Sequence, residues 1–291
     1  MRWKLSIWIL MTVFVSRAQN HFMSPGTTGF QVMTDLHRFH YRAAKEKIES
    51  EKALLPAGEY HFLKVNYFWW MMVATPGASA YRDSLMAEMD STDYALRHAK
   101  LTNNDDYYIR LMNYGFRYRL AFKEERMLDG LIYANRTARN IKYALKHAEE
   151  SPFLKLTAAI YLFTTAYGEE HYWYLKPYFL TIPKGDKKKG LQYLDELSRH
   201  PNRVVAQEAT YVALRIYKDM LNNNRKALEL AEQLVKDNPA NLFYRAILIR
   251  LKNNLHEPID AEVAVYRRYW QQMDFADEAM KNFYADWKNI P

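Results

Sequence analysis

Leu131, Ala134, Ala138, Ile141, Leu145 and Ala148 recur at alternating spacings of three and four, which places them on one face of a helix. A similar stripe runs through Leu85, Met89, Leu96 and Ala99. Two more run through Val205, Ala209, Val212, Ala213, Ile216, Tyr217 and Met220, and through Ala227, Leu228, Leu230, Ala231, Leu234 and Val235. Turn-forming residues break the pattern at Pro56-Ala57-Gly58, Thr75-Pro76-Gly77, Asn103-Asn104 and Ser151-Pro152. The intervals predict a helix from Phe30 to the first break, an aromatic helix from about Glu59 to Val73, and one from about Asp106 to Phe122. Phe153 to Tyr174 is apolar on nearly every face, which suits a helix covered on both sides. The longest irregular connection is Lys176–Asp186. Helices follow from about Ala240 to Lys252 and Pro258 to Gln272, with a last one from about Phe275 to Trp287 as a cap. Roughly a dozen helices with short loops predict an all-α fold of stacked antiparallel helical hairpins.

Composition supports this reading. Nine Gly and ten Pro in 291 residues are too few breakers for a β-sandwich or barrel of this length. The first residues read differently from the rest. Arg2 and Lys4 precede an apolar run, Leu5 to Val15, and Ser16-Arg17-Ala18 offers small residues at a cleavage site. Residues 1–18 therefore read as a secretory signal peptide cut after Ala18. The apolar run would reach only ~17 Å as a helix, short of the ~30 Å bilayer core. No later segment approaches ~18 uninterrupted apolar residues, so no transmembrane segment is expected in the mature chain. The absence of Cys excludes disulfides and a lipidated cysteine, and fits a periplasmic or secreted protein held together by packing. Removing Arg2, Lys4 and Arg17 from a net charge of +8 leaves +5, an excess too mild to mark a nucleic-acid binder. The expected organisation is leader 1–18, an aromatic-rich helical region 19–186, and a repeat region 187–291 ending in the capping helix.

The repeat region carries internal similarity. Lys189-Gly190-Leu191-Gln192-Tyr193-Leu194-Asp195-Glu196-Leu197 resembles Lys226-Ala227-Leu228-Glu229-Leu230-Ala231-Glu232-Gln233-Leu234, 37 positions on, and each unit closes near a proline, Pro201 and Pro239. A period in the thirties is that of a two-helix repeat. Tyr211, Leu214, Ala227 and Pro239 stand at the spacings of the large aromatic, the Leu, the Ala and the closing Pro of a tetratricopeptide repeat. The stretch from Tyr211 to Pro239 resembles that family, and Leu248 and Ala261 fit one repeat further. Arg215 stands where the family has a small glycine, and Lys218 and Ala231 replace aromatics, so close helix packing is in question at Arg215. The run Tyr178 to Asp186, followed by Lys187-Lys188-Lys189-Gly190-Leu191, is similar to a feature of exported, uncharacterised tetratricopeptide-like proteins of Bacteroidetes-type bacteria. These resemblances imply an α-solenoid and an exported protein.

Candidate chemistry is sparse. There is no Gly-rich phosphate loop, no nucleophile elbow and no HExxH pattern. Glu169, Glu170 and His171 read as a polar helix end, because neighbouring carboxylates point in different directions. His37 and His40 have helical spacing and read as a surface pair; no catalytic residue, metal or cofactor is assigned. Asn135-Arg136-Thr137 matches a glycosylation acceptor inside a helical pattern, where chance is the simpler reading. Lys184, Lys187 and Lys188 beside Tyr172, Trp173, Tyr174 and Tyr178 form the candidate binding cluster, a set of rings with cationic neighbours. The plainer account has Gly185 making a tight turn, Asp186 capping the next helix, and the lysines as its solvated first turn. The consecutive Tyr67, Phe68, Trp69, Trp70, Met71 and Met72 cannot all point one way and are expected to pack mostly inside. The resulting expectation is an exported scaffold that binds a peptide, a protein or an envelope component on a concave aromatic and basic face, without catalysis. A second reading is a helical glycan-binding or glycan-cleaving protein using the Trp and Tyr clusters with acids such as Glu169; a third is a membrane-tethered assembly factor. No nucleic-acid partner is expected.

Overall fold

Side-chain caps set where many of the helices begin. In the computed structural model, which describes residues 21–75, 79–98, 101 and 103–289, Thr27, Asn103, Ser151, Asp186, Asn202, Asn223, Asn241 and Asp277 each accept a hydrogen bond from a first-turn amide. A cap of this kind contributes ~1 kcal/mol and satisfies an amide that the helix itself cannot. The expected leader, residues 1–18, lies outside the described residues, as do Pro76, Gly77 and Ala99 of the sequence pattern.

Fourteen α-helices and no strand occur among the described residues. They are α1 (Thr28–His37), α2 (Tyr41–Ser50), α3 (Ala57–Ala74), α4 (Ser79–His98), α5 (Asn104–Lys123), α6 (Met127–Lys146), α7 (Pro152–His171), α8 (Lys176–Phe179), α9 (Lys187–Leu197), α10 (Arg203–Arg215), α11 (Asn224–Asp237), α12 (Leu242–Asn254), α13 (Asp260–Gln272) and α14 (Glu278–Phe283). Successive pairs α1/α2, α3/α4, α5/α6, α7/α9, α10/α11 and α12/α13 pack as hairpins. The first helix of each pair forms an inner layer, in which α1 meets α3, α3 meets α5, α5 meets α7, and α7 meets α10. This is the packing of an all-α helical-repeat solenoid.

The solenoid turns tightly enough that its ends touch. Helix α1 packs on α10, and His37 Nδ1 lies 2.6 Å from the Tyr244 hydroxyl of α12. Asn241 Nδ2 donates to the His37 carbonyl (2.7 Å), Asn202 Nδ2 to the Met23 carbonyl (3.0 Å), and the Tyr284 hydroxyl to the Ala74 carbonyl (2.7 Å). Trp70 of α3 sits among Tyr211, Phe243 and Tyr244, with ring centroids 5.0, 6.4 and 6.2 Å away. Of the run Tyr67 to Met72 only Phe68 is not fully buried. That run fills the inside of the superhelix.

Several expectations are corrected in detail. The first helical stretch divides into α1 and α2 because Phe39 takes a left-handed backbone (φ 69°). His37 and His40 therefore share no face: His37 is fully buried against Trp70 and Tyr244, and His40 is exposed ahead of α2. The capping segment from Phe275 to Trp287 is broken, since Asp277 starts a short α14 and Trp287–Asn289 forms a separate 3₁₀ turn. Gly185 makes no left-handed turn. A Cβ there would lie 2.8 Å from the Leu162 carbonyl oxygen and closer still to the Ala166 amide, so the residue lets the connection lie flat on α7. Tyr211, Leu214 and Ala227 are buried, and the Pro239 carbonyl accepts from Arg245 Nε (2.5 Å). Leu248 is buried, but Ala261 is exposed in the first turn of α13. At Arg215 the α10 helix passes into a π-helical turn, Ile216–Met220, and Arg215 spans it by binding Asp219 (2.5 Å).

Candidate functional site

Among the described residues, most of the large apolar side chains left in water lie near one place, where the α5–α6 turn meets the connection after α7. On α5, Tyr118 and Phe122 are one turn apart and both exposed, with centroids 6.2 Å apart. Phe122 meets Tyr172 at 6.3 Å, Tyr172 meets Tyr174 at 6.1 Å, and Tyr174 meets Trp173 at 6.2 Å. Trp173 is 74% and Tyr174 52% exposed. The turn Glu124–Arg126 then delivers Met127, Leu128, Leu131 and Ile132 of α6, all exposed, and Tyr118 lies 4.0 Å from where a Cβ on Gly130 would stand. Leu131 thus leaves the buried stripe assigned to it in sequence, which starts instead at Ala138.

The backbone explains why these rings are presented. Ser151 caps α7 and Pro152 occupies its first turn, so α7 runs to His171 and ends at Tyr172. The 3₁₀ turn Trp173–Leu175 and the single-turn α8 follow, tied down where Phe179 packs against Gly168. The Tyr161 hydroxyl donates to the Pro183 carbonyl (2.7 Å), and the Asp186 amide to the Leu162 carbonyl (2.9 Å). Tyr178 faces inward: burial pushes its phenol up to about 12, with Tyr118 adding to the effect, and its hydroxyl finds no hydrogen-bond partner among the described residues.

The lysines are not drawn onto these rings. Lys187 pairs with Glu170 and lies over Tyr167, 5.1 Å from its centroid. Lys184 and Lys188 are exposed, and Asp186 caps α9 through the Lys189 amide (2.9 Å). Arg119 stands over Trp69 at 5.2 Å from its centroid. Water reaches Arg119, yet surrounding protein pushes its pKa down, with Arg215 adding to this and Tyr211 opposing it. Arg215 donates to the Tyr211 hydroxyl (3.3 Å) and to Asp219.

No family model, curated protein or solved structure matches this chain.

The other chemically suggestive groups are held in local contacts. His171 Nδ1 lies 2.9 Å from the Tyr167 carbonyl, and its ring stacks on Tyr167 at 3.8 Å. Among the described residues no three His, Asp or Glu side chains gather into a metal-binding set, and no helix is long and apolar enough to cross a membrane. Sequence reasoning singled out Tyr172, Trp173, Tyr174 and Tyr178 but missed Tyr118, Phe122 and the start of α6. Part of their signal was present: Leu128 and Ile132 lie off the stripe that continues through Ala138 and Ile141.

Proposed function

We propose that this protein is an exported, tetratricopeptide-like helical scaffold that docks a protein or peptide segment on its exposed aromatic and aliphatic patch, without catalysis. The observation that supports the reading is the patch itself: Trp173, Tyr174, Leu180, Tyr118 and Phe122 stand in water beside the exposed start of α6. Covering one such side chain is worth ~1.5–3 kcal/mol, so a few suffice as the anchors of an interface. Trp and Tyr are the side chains most often found in that role. Export is supported by the leader pattern in residues 1–18, and the repeat assignment by the buried Tyr211, Leu214 and Ala227. A peptide, a folded protein or an envelope component could supply the apolar face.

A photo-crosslinking amino acid placed at Tyr174 and, as a control, at exposed Lys236 of α11 tests the reading in the native cell. The expected result is a discrete adduct from position 174 and none from 236, abolished by Leu180→Asp in the same chain. Adducts of equal pattern at both positions would refute docking on this patch. Turnover of a substrate by the purified protein, lost in a single site variant, would refute the non-catalytic reading.

A further inference from the structure

A second feature lies on α5, one helical turn before Tyr118. A cleft of about 380 Å³ opens where α4, α5 and α6 meet, lined by Asp93, Arg97, Arg110, Tyr114 and Arg136. This is within the size range of small-molecule sites, but its lining is polar rather than apolar. Three guanidinium groups face one carboxylate there. That carboxylate is already engaged, since Asp93 Oδ1 accepts from Asn113 Nδ2 (2.7 Å) and Oδ2 lies 3.5 Å from Arg117 Nε. Among the described residues half-buried Arg110 and exposed Arg97 and Arg136 form no ion pair, whereas the buried or half-buried Arg117, Arg215 and Arg245 each do.

The arginines are held in place by contacts other than counter-ions. Arg110 Nη2 donates to the Leu96 carbonyl at the end of α4 (2.8 Å), which leaves its remaining N–H groups to the cleft. The Arg136 guanidinium rests between two rings, 5.3 Å from the Tyr133 centroid and 6.0 Å from that of Tyr114. Burial raises the Tyr114 phenol, Asp93 adds to this, and Arg110, Arg136 and Arg97 pull the other way. Its hydroxyl therefore stands within electrostatic reach of all four charged groups. Three like charges converging on one cleft repel each other, and an oxyanion entering it relieves that repulsion while taking up paired N–H donors in the fork geometry of arginine.

We propose that this cleft is a binding site for a small organic oxyanion, a phosphate ester or a polycarboxylate, held by Arg97, Arg110 and Arg136 with Tyr114 as an additional donor. The inference does not rest on the aromatic patch and survives if that patch docks nothing.

Calorimetric titration of the purified chain with inorganic phosphate and, separately, with citrate in low-chloride buffer tests it. Saturable one-site binding of either anion is expected; phosphate alone indicates a phosphate ester, and citrate alone a polycarboxylate. Arg97→Gln and Arg136→Gln, both at exposed positions where substitutions usually change stability little, are each expected to weaken binding by roughly tenfold or more, as the loss of a charge-assisted contact implies. Arg199→Gln on α9, whose partner is Asp195, should bind as the parent chain does. Absence of saturable binding by both anions, or equal weakening by all three variants, overturns the proposal.

Discussion

Replacing Trp70 by Ala tests whether the superhelix is closed by its aromatic interior. Trp70 is 2% exposed and lies 5.1 Å from His37 of α1, 5.0 Å from Tyr211 of α10 and 6.2 Å from Tyr244 of α12, centroid to centroid. Removing a buried indole leaves a cavity that closely packed neighbours fill only in part, at a cost of ~3–5 kcal/mol. A domain has ~5–15 kcal/mol of stability in total, so about a fifth or more is lost. At ~2–4 °C per kcal/mol for a chain of this size, the melting temperature should fall by roughly 6–20 °C. Trp173→Ala is the matched control, because that ring is 74% exposed and its removal should change stability by no more than about 0.5 kcal/mol. Thermal unfolding followed by far-ultraviolet circular dichroism reads both. A solenoid whose repeats touch only their neighbours would absorb the loss locally and unfold in parts, whereas contacts between α3 and α12 tie the ends into one transition. Equal melting of the two variants, or a shift for Trp70→Ala below about 3 °C, would refute the closed interior.

Three further outcomes follow from the same structure. Tyr244→Phe removes the hydroxyl 2.6 Å from His37 Nδ1 and leaves a buried ring nitrogen without its partner, which should cost ~1–3 kcal/mol in urea denaturation; a neutral result would show that this contact does not hold α1 to α12. Gly185→Ala puts a methyl group against backbone atoms of Leu162 and Ala166, and overpacking of this kind should cost ~1–3 kcal/mol. A variant as stable as the parent in the same assay would mean that the Pro183–Asp186 segment is not pressed against α7. Glu59 is raised from 4.5 to about 7 by burial and by Asp105 and Asp106. The folded chain keeps a proton there that the unfolded chain has released, so the associated stability is present below pH 4.5 and lost as pH rises through 7. Burial lowers His21, 3.2 Å from Asp105, to about 3, so its own contribution is lost on the acid side, as pH falls from 6.5 through 3. Glu59→Gln should therefore raise the melting temperature more at about pH 8 than at about pH 5, and a pH-independent difference would count against the raised carboxyl.

How much of this was legible in the chain depended on the scale of the interaction. Helix period, helix-breaking residues and caps are local, and they placed α3, α5, α7 and α10 to α12 within a few residues. The division of the first helix was not legible, because it rests on Phe39 in a left-handed backbone and buried among Tyr41, Phe275 and Tyr284. Two of those partners lie more than two hundred residues away, and no local pattern encodes them. His37 was misplaced for the same reason: its spacing from His40 suggested a surface pair, while its real neighbours are Tyr244 and Glu208, the latter 3.2 Å from Nε2. The aromatic site was legible only in part. Trp173 and Tyr174 stand out as rings next to a turn, but Tyr118 and Phe122 look like core residues until α7 is seen to end before covering them.

The closed interior also changes where a ligand surface can be sought. An open array of hairpins offers the inner faces of its first helices, and the sequence pattern placed binding there. In this chain those faces are spent on one another: Trp70, Tyr211, Phe243 and Tyr244 fill the space, and Asn202 and Asn241 each bond the N-terminal backbone. The side chains left exposed therefore lie outside that interior. The exposed rings lie on the neighbouring face of α5 and along the connection after α7, and the arginine cleft lies one turn back along the same helix. Helix α5 thus carries its buried side into the core and offers water both an apolar strip and a cationic cleft. The two surfaces lie within a helical turn of each other, at Tyr114 and Tyr118, yet one is apolar and the other cationic, so occupancy of one can be measured without the other.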